Sequence, residues 1–130
     1  MKIAFATTDG THVNEHFGRA GMFAVYDLTT EGSRLVEMRK FSEGVDTAIT
    51  STKDKGQVHD DAVESKVERL ADCRIVCLTE IGGPSAARLI KKGIMPLKVK
   101  EPALIVDELA KLLETVKRNP SPWLRKAMNQ

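Results

Sequence analysis

The stretch from Arg74 to Lys92 constrains the fold more than any other. Arg74 to Thr79 is an apolar run with Ile-Val-Cys-Leu at its heart, and it passes through Ile81-Gly82-Gly83-Pro84 into Ala86, Ala87, Leu89 and Ile90 at helical spacing. Lys91-Lys92-Gly93 then supplies a basic last turn and a glycine stop. A strand that feeds a helix in this way is expected to pair with a parallel neighbour, inside the sheet rather than on its edge.

The parallel neighbour is Lys2 to Thr7, a short run with β-branched and aromatic members closed by the turn dipeptide Asp9-Gly10, read here as a central strand. Met22 to Leu28 and Arg34 to Phe41, joined by Thr30-Glu31-Gly32-Ser33, read as an antiparallel hairpin. Asp61 is placed to cap a helix in which Val63, Val67 and Leu70 recur at helical spacing. Ile94 to Val99 is a further strand, and Pro96 argues for a sheet edge. Val106, Leu109, Leu113 and Val116, widened by Leu112, put an apolar stripe on a last helix from about Ala103 to Lys117. The expected architecture is an α/β domain of the ribonuclease-H-like kind, with a five-stranded mixed sheet made of the hairpin and parallel βα units and helices packed on it.

A length of 130 residues suits one domain, read here as residues 1–118, with a Pro/Trp tail over 119–130. No apolar run reaches the ~20 residues of a membrane span, and the N-terminus reads as a strand rather than a leader. With two cysteines, the expected setting is a reducing cytoplasm with free thiols. A net charge of +2 is too mild to argue for nucleic acid, although it suits a small anion.

Between the first two strands lies Thr8 to Ala20, which holds His12, His16, Asn14 and Arg19 with Gly10 and Gly18, and is too polar and turn-rich to read as a strand. If the first strand is central, this connection meets the Gly82-Gly83-Pro84 turn at one sheet edge, in the kind of crevice where open α/β sheets take ligands. Gly82 and Gly83 permit close backbone approach, Pro84 suits the first helical position, and the free amides of the first turn attract an anion, with Arg88 one turn on. Ser42 to Asp61, containing His59, is a long polar connection of the sort that serves as a lid when it is ordered.

Other chemistries fit less well. His12, His16 and His59 match a zinc ligand count, which keeps open a mononuclear metal protein or metal-dependent hydrolase. Cys73 and Cys77 are four apart, about 13 Å along a strand, so they cannot grip one small ion. Cys77 reads as core and Cys73, at the strand mouth, as more open to a role. A nuclease wants converging carboxylates, normally one within the first strand, whereas Asp9, Asp27 and Glu80 lie at strand ends. There is no Gly-x-Ser-x-Gly elbow for a nucleophilic hydrolase.

Three motifs carry a resemblance: Phe5-Ala-Thr-Thr-Asp-Gly with Val13-Asn-Glu-His-Phe-Gly-Arg-Ala, then Ile81-Gly-Gly-Pro-Ser-Ala-Ala-Arg-Leu, then Asn119-Pro-Ser-Pro-Trp-Leu-Arg-Lys-Ala. In this order, and running almost from end to end, they resemble the nitrogenase cofactor biosynthesis family that comprises NifX, NafY and the C-terminal part of NifB; the Trp-containing tail points to the NifX branch. The resemblance implies a ribonuclease-H-like domain without nuclease activity. It also implies a non-catalytic carrier of an iron-sulfur precursor of the iron-molybdenum cofactor, or of the cofactor itself, whose partners are the assembly proteins of that pathway. Carried onto these residues, it makes His16 the cluster ligand, with Asn14 and Arg19 facing sulfides and carboxylates and Gly82 and Gly83 presenting amides. His12, His59 and Cys73 stay as candidates for a second ligand. Trp123 either packs back on the sheet or docks a partner, with Lys117, Arg118, Arg125 and Lys126 as its basic rim.

Overall fold

The computed structural model describes residues 1–41, 64–100 and 103–118, with Pro122 and Lys126 beyond them. The Asp61 cap, the Ser42 to Asp61 connection with His59, and Trp123 lie outside the described residues, as does nearly all of the 119–130 tail.

The central strand β1, Lys2–Ala6, pairs antiparallel with β3, Met22–Thr29, and parallel with β5, Ile75–Leu78. β3 continues the sheet to β4, Gly32–Lys40, and β5 continues it to β6, Met95–Lys98, in the order β4-β3-β1-β5-β6. The five-stranded mixed sheet expected from the sequence is therefore present, with Pro96 on an edge strand where its missing amide costs no sheet hydrogen bond. The β3–β4 register shifts between Val25 and Tyr26, a bulge that accounts for the imperfect alternation of Arg34 to Phe41.

The interior strands are buried on both faces, and alternation sorts their side chains into two cores. Ala4, Ala6, Val76 and Leu78 face one side, against Phe17, Phe23, Val67, Leu70 and Leu89. Val67 and Leu70 come from helix α1, described over 64–69, and the turn after it; Leu89 comes from α2, Gly83–Lys91. Ile3, Phe5, Ile75 and Cys77 face the other side, against Ile105, Leu109 and Val116 of α3, Ile105–Arg118. Each face is thus closed by helices, as two-sided burial requires.

Four local readings are corrected. The connection after β1 is not wholly irregular: His12–Val13 forms a short strand β2, pairing antiparallel with β7, Ala103–Leu104. Val13 and Ala103 bury their side chains there, and that burial outweighs the polar surroundings. The last helix consequently starts at Ile105, and its buried stripe begins there and not at Val106, which is 63% exposed. In α2 only Leu89 is buried, while Ile90 faces outward. That helix opens at Gly83 with Gly82 as its N-cap, so Pro84 stands one residue further in than expected.

Candidate functional site

β1 ends at Ala6, and the chain leaves the sheet through a turn held by side chains. The Thr7 hydroxyl accepts from the Gly10 amide at 2.8 Å, and Gly10 takes the left-handed φ of 78° that suits glycine. Asp9 Oδ1 accepts from the amides of Thr11 and His12 at 2.8 and 2.9 Å, while Oδ2 meets His12 Nδ1 at 2.8 Å. The backbone bond from His12 leads the interactions that hold this carboxyl well below the usual carboxylate range. Asn14 closes the loop: its Oδ1 accepts from the Thr8 amide and its Nδ2 donates to Thr8 Oγ1, both at 2.9 Å.

The next residues are stitched to the end of β5. Thr79 donates its amide to the Glu15 carbonyl at 3.1 Å, and Phe17 donates to the Glu80 carbonyl at 2.9 Å, which makes His16 and Glu80 a parallel β-bridge. Phe17 is wholly buried, its ring 6.0 Å from that of Phe23, and anchors the segment in the core. The His16 carbonyl accepts from the amides of Arg19 and Ala20, closing a tight turn. Beneath it, Lys66 of α1 donates from Nζ to the carbonyls of Phe17 and Gly18 at 3.0 and 2.9 Å.

The result is one open depression of about 770 Å³ lined by His16, Gly18, Arg19, Glu80, Ile81 and Gly82. His16 and Arg19 are exposed on one wall, and the N-terminus of α2 forms the other. This is the expected meeting of the first loop with the Gly82-Gly83 turn. A Cβ on Gly82 would meet nothing nearer than the Pro84 ring at 4.0 Å, and one on Gly83 would meet nothing within 4 Å outside its chain neighbours and its own helix backbone, of which Pro84 follows directly. Neither glycine has a positive φ among those that do. Arg88 lies further along α2, 3.7 Å from the Glu64 carboxylate.

His12 and His16 are not brought together. His12 lines a separate depression of about 910 Å³, between β6 and α3, with Leu97, Lys98, Lys100, Glu108 and Lys111 among its walls. Lys98 connects the two, its Nζ 3.2 Å from Glu80 Oε2. Both depressions mix charges, Lys98, Lys100 and Lys111 with Asp107 and Glu108 in the larger and Arg19 with Glu80 in the smaller, so charge alone does not choose between them. Cys73 sits before β5, at the opposite end of that strand from Glu80, and is fully buried; burial leads the effects that push its thiol up to about 12. Burial also raises the Cys77 thiol. Among the described residues no three His, Cys, Asp or Glu side chains gather as a metal site. Asp27 is taken up at 3.1 Å by the N-terminal ammonium.

Sequence reasoning passed over Lys66 and undervalued Glu80. The signal for Lys66 was present: residues 63, 66, 67 and 70 share one helix face, so a lysine occupies an inward position. Glu80 shows no such pattern, because its place in the wall comes from the bridge to His16.

The family model described as dinitrogenase iron-molybdenum cofactor matches residues 1–115. The chain belongs to that family. It is 37% identical to the protein NifX of Sinorhizobium fredii, covering 100% of this chain and 79% of the relative, and 38% identical to NifX of Herbaspirillum seropedicae, covering 100% and 83%. It is also 30% identical to NifY of Azotobacter vinelandii, covering 98% of this chain and 48% of that one. Among solved structures, the crystal structure of PH0822 superposes with a TM-score of 0.63 at 20% identity, over 88% of this chain and 91% of that chain, which supports the fold. Family membership makes nitrogenase cofactor biosynthesis the setting in which the depression has to be understood. No helix among the described residues is long and apolar enough to cross a membrane.

Proposed function

We propose that this family member is a non-catalytic cytoplasmic carrier that takes up an iron-sulfur precursor of the iron-molybdenum cofactor, or the cofactor itself, and passes it between the assembly proteins of the nitrogenase pathway. The observation that carries the reading is the pairing of an exposed imidazole, His16, with a helix N-terminus at Gly82-Gly83, where Gly82 lines the depression and a Cβ on it would meet nothing nearer than 4.0 Å. Such a cluster is a large preassembled anion. Its carrier needs few bonds to iron and a positive, hydrogen-bonding wall.

In this reading His16 is the ligand to an exposed iron of the cargo, because a neutral imidazole suits iron and a single bond of this kind permits transfer onward. Arg19 stands beside it and neutralises charge. The first amides of α2 face sulfides or carboxylates, as helix N-termini favour anions. Asn14 acts through the loop it ties to Thr8, keeping His16 at the strand end.

Anaerobic titration of the full-length protein with the isolated precursor, followed by visible absorption and co-elution of iron, tests the reading with wild type and His16→Ala. Uptake by wild type weakened about tenfold or more in the variant, the scale of losing about 1.4 kcal/mol of binding, is the expected result. No uptake by wild type overturns the carrier role, and uptake indifferent to the substitution overturns His16 as the ligand.

A further inference from the structure

We propose that Lys66 is the positioning residue of the His16 turn and that, through this turn, it governs how well the depression takes up a cluster; the second half rests on the carrier reading, the first does not. Lys66 is 5% exposed, on the inward face of α1 with Val67. An ammonium in that position has lost most of its hydration, a cost that an apolar side chain there would avoid. Its partners include two charge-assisted hydrogen bonds, to the Phe17 carbonyl at 3.0 Å and the Gly18 carbonyl at 2.9 Å, and the Phe17 ring centroid lies 5.7 Å away.

Those two carbonyls lie immediately after His16, inside the turn that the Arg19 and Ala20 amides close on the His16 oxygen. Lys66 therefore determines how the turn sits over the core. Because the Phe17 and Gly18 oxygens are directed at a buried ammonium, they are not presented to an anion at the opening. The polar wall that remains is His16, Arg19, the α2 amides and the Lys98-paired Glu80. Burial of Phe17 anchors the segment without direction, and the backbone bonds to Glu80 and within the turn orient its amides, but they leave the Phe17 and Gly18 carbonyls without a directed partner of their own. The ammonium adds the direction.

The test uses the full chain with Lys66→Met, Lys66→Arg and, as a control, Leu109→Ala, which opens the core on the other face of the sheet. Three signals are read beside thermal melting: the nitrogen and carbon resonances of the His16 ring, hydrogen exchange of the Arg19 and Ala20 amides, and anaerobic uptake of a synthetic four-iron four-sulfur thiolate cluster. Lys66→Met is expected to shift the His16 ring resonances and to speed exchange of both amides by about tenfold or more. It is also expected to lower uptake. Lys66→Arg, whose guanidinium reaches two acceptors, restores all three. Leu109→Ala lowers the melting temperature and leaves the three signals in place. The positioning role is overturned if Lys66→Met changes melting alone, or changes the ring and amide signals no more than Leu109→Ala does. Absence of cluster uptake by wild type overturns the part that rests on the carrier reading, while the ring and amide signals still decide the positioning.

Discussion

His16 and Glu80 face each other across a parallel β-bridge, with the Phe17 amide donating to the Glu80 carbonyl at 2.9 Å, so that an imidazole and a carboxylate share one wall of the same depression. A carboxylate there opposes an anionic cargo unless its charge is masked, and the ammonium of Lys98, 3.2 Å away, masks it. Both partners are more than half exposed, at 62% and 54%, so the pair contributes little to folding. Lys98→Ala is therefore expected to weaken cluster uptake severalfold with less than about 0.5 kcal/mol change in stability, and Glu80→Gln to strengthen it. Paired urea melts and anaerobic titrations check both directions; weaker uptake by Glu80→Gln would make the carboxylate a ligand.

Gly83 separates fold from function. A methyl group there meets no atom within 4 Å outside its chain neighbours and its own helix backbone, while the better helix propensity of alanine is offset by crowding against the Pro84 ring that directly follows. Gly83→Ala is expected to change the melting temperature little while lowering cluster uptake. Equal uptake by the two proteins would show that the cargo does not approach this turn.

Both thiols are predicted to be silent in the folded protein. Cys73 and Cys77 are fully buried, and their thiols are raised, that of Cys73 to about 12, so the thiolate is scarce at neutral pH. Iodoacetamide labelling followed by intact mass should show neither cysteine modified at pH 8 and both modified in denaturant. Cys73→Ala should leave cluster uptake unchanged, whereas a large loss would restore Cys73 as a ligand.

Acid should weaken a tie between the hairpin and the end of α1. The Asp72 carboxyl accepts two hydrogen bonds from Arg39, at 2.8 Å each, and one from Lys2 at 3.1 Å, with the Arg39 bonds leading the effects that hold it well below its ordinary range. Its folded affinity for protons is thus below the unfolded one. The stabilisation is present above the unfolded Asp value of about 4 and is lost as pH falls below it. Because the side chain is 44% exposed, solvent screening keeps the effect small. Asp72→Asn should make the fall of melting temperature between about pH 4 and pH 2 shallower than in wild type, while lowering stability at pH 7. Parallel acid limbs would show that the network contributes nothing measurable.

How far the sequence could be read depended on what each signal reports. Continuous apolar runs made β1 and β5 visible, because a strand buried on both faces shows no polar alternation, and imperfect alternation and helical spacing made the hairpin and α2 visible, because such periods record which side of an element faces a core. The same logic misplaced the α3 stripe by one residue: Val106 and Ile105 are equally apolar, and only the β7 pairing of Ala103–Leu104 settles where the helix begins and so which of them points inward. β2 was hidden for a similar reason, since two residues among polar neighbours carry no period.

What the sequence by itself determined is the order of the elements, the central place of Lys2–Ala6 and the presence of a histidine-bearing loop before a glycine-opened helix; these follow from local burial patterns and turn chemistry. What only the tertiary structure decided is the membership of the site. His12 and His16 are four residues apart, yet one is held by β7 and Asp9 beside α3 and the other by Glu80 at the end of β5. Sequence spacing cannot encode that division. It arises because the chain between the two histidines is pinned at separate points to strands about 60 to 90 residues away, and because a buried lysine on a third element holds the second turn in place.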